Sequence, residues 1–146
     1  MIPFGIRAET MLPRDPRPAH RPIRVLSLGN DRHRDWPTLI AAMKDWNDCV
    51  LRLVSHQVNR ALVRSATNVE ITHPRTNDDL MALYDWADIV VVPLKPNLHA
   101  SGITVVQEAT LCGLPVVCTD TGGLGAMHRV LKELRKGSQP GRSTRS

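Results

Sequence analysis

Short apolar runs alternate with longer amphipathic stretches through the middle of this chain. The runs are rich in valine, isoleucine and leucine and have the length of strands; they occupy residues 23 to 28, 49 to 54, 69 to 71, 88 to 93 and 114 to 119. Stretches with helical spacing lie between them, at residues 35 to 46, 57 to 65, 77 to 87 and 103 to 112. This alternation predicts an α/β fold, a doubly wound, Rossmann-like parallel sheet covered on both faces.

The two ends of the chain differ from this middle region. Residues 1 to 22 hold five of the eleven prolines, each without an amide donor, and are predicted to be a linker or entry segment. Residues 23 to 123 are predicted to form the folded domain. Residues 124 to 146 form a basic tail, and its last nine residues, 138 to 146, are small and polar, which favours disorder.

The net charge of +5 is concentrated in the tail. From residue 124 onward six basic residues stand against one acidic residue, whereas the first 123 residues carry 13 of each. Because the body is neutral and only five residues are aromatic, we expect no nucleic-acid partner. Apolar positions 124, 127, 130, 131 and 134 have helical spacing opposite the basic ones, so peripheral contact with an anionic membrane is an alternative to simple packing or disorder.

Several protein classes are disfavoured by composition. No apolar run approaches the roughly 20 residues of a membrane span, and the first residues lack the basic and apolar regions of a secretory signal. We therefore expect a cytoplasmic protein, with peripheral attachment to the cytoplasmic membrane face as the alternative. The three cysteines include no CxxC pair, which favours buried reduced thiols. The histidines lack zinc-site spacing, so no metal ion is predicted. No cofactor is predicted either.

Ligands of doubly wound sheets bind beyond the carboxyl ends of the strands, often at helix N-termini. The loop at residues 29 to 35 follows the first strand and contains neither GxGxxG nor GxxxxGK[ST], which disfavours the usual NAD or ATP site. Its Arg32 and Arg34 are candidates for clamping a diphosphate with their guanidinium groups. The alternative is that both arginines are merely solvated.

The segment from Pro93 to Val117 holds the most informative residues. Ser101 and Gly102 precede a helix whose first-turn amides are predicted to be free, which suits a phosphate. Glu108 follows on the same helix, where its carboxylate can accept hydrogen bonds from both hydroxyls of a vicinal diol such as a ribose. The alternative is an exposed helix glutamate without a ligand.

The chain resembles the carboxy-terminal, donor-binding half of GT-B glycosyltransferases, in particular the large retaining family 4. The resemblance covers about residues 2 to 123 and rests on the opening IPFGI and on the segments NDDLMALYDWADIVVVP and SGITVVQEATLCGLPVVCTDTGG. It implies that Glu108 holds the nucleotide ribose and that Arg34, near Arg32, replaces the family's phosphate-binding lysine. The amides implied to hold the diphosphate are those of Ser101, Gly102, Ile103 and Thr104. His99, Gly122 and Gly123 are expected near the donor sugar, with a plain loop histidine as the alternative for His99.

Two departures bear on the function that this resemblance implies. Ala100 stands where the family has a glutamate that touches the donor sugar, and no acceptor domain accompanies the donor half. We therefore expect a domain that binds a UDP- or GDP-linked sugar. Transfer of the sugar with retention to a glycan or lipid-linked acceptor, as in polysaccharide biosynthesis, is expected only together with a separate acceptor domain or chain. The catalytic residues stay unassigned. The alternative is a non-catalytic nucleotide-binding or interaction remnant of a truncated gene.

Overall fold

A computed structural model describes residue 18, residues 20 to 95 and residues 102 to 119. Its elements, in chain order, are β1 (Ile23–Leu28), α1 (Trp36–Met43), β2 (Cys49–Val54), a single 3-10 turn (Arg60–Leu62), β3 (Val69–Ile71), α2 (Asn77–Trp86), β4 (Ile89–Val92), α3 (Ile103–Leu111) and β5 (Val116–Cys118). Most of the predicted linker and the whole predicted basic tail lie outside the described residues. In the part of the chain that is described, no helix has the length and apolar character needed to cross a membrane.

The predicted α/β fold with a parallel sheet is confirmed. All five predicted strands are present and pair in parallel, in the order β3-β2-β1-β4-β5. Three of the four predicted helices are present as α1, α2 and α3. Helix α2 begins with a full capping box, in which Thr76 is the N-cap residue and Thr76 and Asp79 bond each other's backbone amides.

The prediction of a helix at residues 57 to 65 is wrong. Only the 3-10 turn forms there, because two polar side chains bond the backbone locally instead. The Ser55 hydroxyl accepts from the amide of Gln57 at 3.0 Å, and the Asn59 side chain accepts from the amide of Ala61 at 3.0 Å. Such local hydrogen bonds compete with the helical pattern and favour turns.

Helix α1 is shorter than predicted, and Trp46 does not pack on the sheet. The side-chain amide of Asn68 donates to the carbonyl oxygens of Met43 and Trp46 at 2.7 and 3.0 Å, which holds the chain in a turn after α1. Trp46 is 47% exposed as a result, whereas Trp36 at the start of α1 is buried. Trp86 is half-buried beneath the Arg52 guanidinium, 4.2 Å from its ring centroid.

Alternating side chains of the strands bury the two faces of the sheet. One face packs Leu26, Val90 and Val92 against α2 and α3. The other packs Val25 and Leu51, among others, against α1. All three cysteines are free; Cys49 and Cys112 are buried as predicted, and Cys118 is half-buried.

Asp88 fastens the amino-terminal edge of the sheet, just before β4. Its Oδ2 accepts from the backbone amides of Arg24 at 2.9 Å and His20 at 3.1 Å, and its Oδ1 lies 2.8 Å from Nδ1 of His20. Burial raises the pKa of this carboxyl, but the hydrogen bonds from Arg24 and His20 together outweigh it and lower the pKa below its usual value. The ionised carboxylate therefore holds the start of β1 beside β4.

Candidate functional site

The loops after β1 and β4 meet at the carboxyl-terminal edge of the sheet. Arg34 and Leu94 form an isolated antiparallel bridge, the amide of Lys95 donates to the carbonyl of His33 at 2.7 Å, and the amide of Asp35 donates to the carbonyl of Pro93 at 3.0 Å. The chain runs outward from β1 to β3 and then returns to β4 on the other side of β1. The two loops therefore lie at the topological switch point, where open α/β sheets bind ligands.

Arg34 lies buried at this switch point, with only 4% of its surface exposed. Its Nε donates to the carbonyl oxygen of Leu28 at 3.0 Å, and its Nη1 lies 2.8 Å from Oδ2 of Asp31. The angles at this second contact do not fit a hydrogen bond, so it is an ion pair only. Nη1 therefore has no hydrogen-bond acceptor among the described residues. Burial lowers the pKa of Arg34, while Asp31 and Tyr84 raise it, and a guanidinium stays charged in proteins. The solvated-loop alternative is therefore wrong for Arg34.

Two glycines make room for the buried guanidinium. Gly29, directly after β1, has a φ of +154°, and a Cβ there would stand 2.3 Å from Nε of Arg34. Gly102 has a left-handed φ of +81°, and a Cβ there would stand 2.7 Å from Cγ1 of Val92 and 3.2 Å from Nη1 of Arg34. A side chain at either position requires its neighbours to move, so both sites favour glycine sterically.

The start of helix α3 lies next to the guanidinium of Arg34. Gly102 is its N-cap residue and brings no capping side chain, while its carbonyl accepts from the amide of Val106 at 3.0 Å. The first-turn amides, including those of Ile103 and Thr104, follow directly, and a helix N-terminus carries partial positive charge. A buried cation and a helix N-terminus thus lie side by side, an arrangement that suits an anion such as a phosphate.

Glu108 lies on the inner side of α3 and is 6% exposed. Its Oε2 accepts a hydrogen bond from the hydroxyl of Tyr84 on α2, at 2.7 Å. Burial and the Glu108 carboxylate raise the pKa of Tyr84 well above its usual value, whereas Arg34 lowers it. The exposed-glutamate alternative is therefore wrong, and Arg34, Tyr84 and Glu108 interact in one buried group. With Gly29 and Gly102 they form what we call the switch-point cluster.

Sequence reasoning located Arg34, Gly102 and Glu108 but missed Tyr84. It included Tyr84 only as part of the helix predicted at residues 77 to 87 and gave it no functional role. A buried tyrosine hydroxyl needs a hydrogen-bond partner, so a tyrosine on the core face of a helix is the signal that could have found it.

Of the other predicted site residues, Ile103 and Thr104 directly follow Gly102 in the first turn of α3. Arg32 is exposed on the loop after β1. His99, Ala100, Ser101, Gly122 and Gly123 lie outside the described residues. Within residues 20 to 95 and 102 to 119, no group of three histidine, cysteine, aspartate or glutamate side chains is placed to hold a metal ion.

Comparison with known proteins shows which family the chain resembles over the region of the switch-point cluster. The model of a family described as "Glycosyl transferases group 1" matches residues 26–136, a range that contains the whole switch-point cluster. A D-inositol 3-phosphate glycosyltransferase of Salinispora tropica is 40% identical over 76 residues, which are 51% of this chain and 15% of that protein. A protein of the same name from Corynebacterium jeikeium is 45% identical over 56 residues, 38% of this chain and 13% of that protein. The matches thus span only a small part of these relatives' length.

Proposed function

Because this chain belongs to the group 1 glycosyltransferases, we propose that its switch-point cluster binds the nucleoside diphosphate part of a nucleotide-sugar donor, with UDP and GDP as the leading candidates. One observation carries the proposal most directly: the charged guanidinium of Arg34 is buried against the N-terminus of α3. Burying a charge is costly unless it is compensated. Asp31 supplies one opposite charge, 2.8 Å from Nη1, and a diphosphate supplies a second together with the hydrogen-bond acceptor that Nη1 lacks among the described residues.

The diphosphate binds between Arg34 and the first turn of α3. Nε of Arg34 already donates to the Leu28 carbonyl, whereas Nη1 is the nitrogen nearest to Gly102. Nη1 and the amides of Ile103 and Thr104 therefore donate to the phosphate oxygens together, and each charge-assisted bond contributes on the order of 1.5–3 kcal/mol. Arg32 adds a second positive charge from the exposed part of its loop. The amide of Ser101, which directly precedes Gly102 in the sequence, is proposed to complete the set.

The ribose binds beside Glu108. Glu108 lies six positions after Gly102, a rise of about 9 Å along α3, which is comparable with the span of a ribose and its diphosphate. The carboxylate accepts hydrogen bonds from the two ribose hydroxyls while Tyr84 occupies another of its acceptor positions. His99, Gly122 and Gly123 are proposed to lie nearer the sugar.

Sugar transfer needs an acceptor held opposite this cluster. We propose that this domain, with an acceptor domain or a separate acceptor-binding chain, transfers a sugar with retention to a glycan or lipid-linked acceptor. Arg34 and the α3 N-terminus stabilise the negative charge that develops on the departing diphosphate. Inositol phosphate, which the names of the relatives specify, is the first acceptor to assay.

A thermal-shift series with UDP, GDP and ADP tests the donor site. A ligand at 100 times its Kd adds about 2.7 kcal/mol to the free energy of unfolding, which raises Tm by several degrees. We expect one diphosphate to give this shift, Glu108→Gln to reduce it, and the exposed control Glu70→Gln on β3 to retain it. A cooperative melt of the unaltered chain that none of the three diphosphates shifts would refute the proposal.

A further inference from the structure

The hydrogen bond between Tyr84 and Glu108 joins two helices across the core. Tyr84 lies on α2 and is 1% exposed, Glu108 lies on α3 and is 6% exposed, and 24 residues separate them. We propose that Tyr84 is a positioning residue, which holds the Glu108 carboxylate in the orientation that receives the ribose hydroxyls. This inference rests on the proposed function and adds to it a residue that recognises the ribose indirectly.

The packing around Tyr84 fixes where its hydroxyl lies. Its ring belongs to the core cluster that also contains Leu26, Val90 and Val106, and it has only two side-chain torsions. A glutamate side chain has three torsions, and ordering it costs on the order of 1.5–2 kcal/mol. A hydrogen bond from a rigid donor orders the carboxylate before the nucleotide arrives. Nucleotide binding then does not have to supply the free energy of ordering the Glu108 side chain, so the affinity is higher.

The direction of the hydrogen bond also suits the ligand. Burial raises the pKa of Tyr84, so its phenol keeps its proton at neutral pH and donates to Glu108. Donation to a carboxylate stabilises the ionised form, and an ionised carboxylate accepts hydrogen bonds from the ribose hydroxyls without donating any of its own. The charge of Arg34 lowers the pKa of the same phenol, so Tyr84 is coupled electrostatically to the residue proposed to bind the diphosphate.

A tyrosine that only fills the core would have a different consequence. Tyr84→Phe keeps the ring and removes the hydroxyl, and with a purely structural role it would change stability but not the affinity of the folded protein for nucleotide. A positioning role instead predicts a loss of affinity that depends on the ribose hydroxyls. A nucleotide without those hydroxyls therefore separates the two roles.

Calorimetric titration of the full chain tests the inference. The ligands are UDP or GDP, whichever shifts the Tm of the chain, and the 2′,3′-dideoxy form of that nucleotide. We expect Tyr84→Phe to raise the Kd of the ordinary nucleotide about five- to tenfold and to leave that of the dideoxy form within about twofold. Trp86→Phe is the matched control, because Trp86 lies at the end of the same helix and stacks on Arg52 instead. It should leave both affinities unchanged.

Each contrary outcome has a distinct meaning. If Tyr84→Phe binds both nucleotides as tightly as the unaltered chain, or weakens both equally, the positioning role is wrong and the proposed function stands. If the unaltered chain binds neither nucleotide, the proposed function fails and the inference fails with it. The double variant Tyr84→Phe/Glu108→Gln should bind no more weakly than Glu108→Gln alone, because Tyr84 acts through Glu108. A further additive loss would contradict that route.

Discussion

Replacing Asp88 is expected to loosen the amino-terminal edge of the sheet. Asp88→Ala removes the acceptor of the Arg24 amide at 2.9 Å and of the His20 amide at 3.1 Å. A hydrogen bond to a charged group contributes about 1.5–3 kcal/mol, but water can replace part of the His20 contact because that side chain is 32% exposed. We therefore expect the free energy of unfolding to fall by about 2–4 kcal/mol. Asp88→Asn keeps an acceptor but loses the charge, and should cost about half as much.

The effect of Asp88 should depend on pH with a defined sign. Burial raises the pKa of its carboxyl, but the hydrogen bonds from Arg24 and His20 outweigh burial and lower the pKa in the folded state. The stabilisation is therefore fully present above the unfolded-state pKa of about 3.9 and is lost as pH falls through the lower folded-state pKa. The stability difference between the unaltered chain and Asp88→Ala should be largest near neutral pH and should shrink in acid.

Urea unfolding followed by tryptophan fluorescence measures this difference. The m-value should stay constant, so that a change in midpoint reports stability alone. Asp45→Ala, at an exposed position after α1, is the control and should be nearly neutral. A stability of Asp88→Ala equal to that of the unaltered chain at pH 7, or a difference that grows on acidification, would refute the reasoning.

Two further substitutions separate the site from the scaffold. Gly102→Ala places a methyl group 2.7 Å from Cγ1 of Val92 at a φ of +81°, so we expect the free energy of unfolding to fall by about 1–3 kcal/mol and nucleotide binding to weaken. Urea unfolding measures the first effect and calorimetry the second. A variant with normal stability and normal affinity would contradict the tight packing at the start of α3. Asn68→Ala removes an amide that donates to three carbonyl oxygens between α1 and β2, at 2.7, 3.0 and 3.2 Å. It should cost about 1–3 kcal/mol and leave nucleotide affinity unchanged, and a loss of affinity in the folded variant would mean that this turn is coupled to the site.

The fold was predictable where its causes are local. Apolar runs such as those of β1 and β2 specify strands by their own spacing, and α2 begins at residue 77 as predicted, with Thr76 as its N-cap residue. The error at residues 57 to 65 arose where side chains replaced helical hydrogen bonds, at Ser55 and Asn59. The end of α1, predicted at residue 46, was misplaced for a different reason, since the turn after Met43 is held by Asn68, a residue 22 positions beyond Trp46 along the chain.

The candidate site was predictable only in part. The spacing of Gly102 and Glu108 along one helix could be read from the sequence. The burial of Arg34 could not, because it depends on β1 lying beside β4 and on the room that Gly29 and Gly102 leave. The partner of Glu108 was missed because Tyr84 belongs to another helix, and only the packing of α2 and α3 on one face of the sheet brings them together.

We propose that a nucleoside diphosphate binds at the carboxyl-terminal edge of the sheet, between the loop after β1 and the start of α3. Amide chemical shifts of the ¹⁵N-labelled full chain, recorded during titration with UDP or GDP, test it directly. We expect the largest shifts on Gly29, Gly102, Ile103 and Thr104 and on Nε of Arg34, with little change at Asp88 on the opposite edge. Saturable binding that leaves those resonances unmoved, or that shifts the Asp88 edge instead, would contradict it.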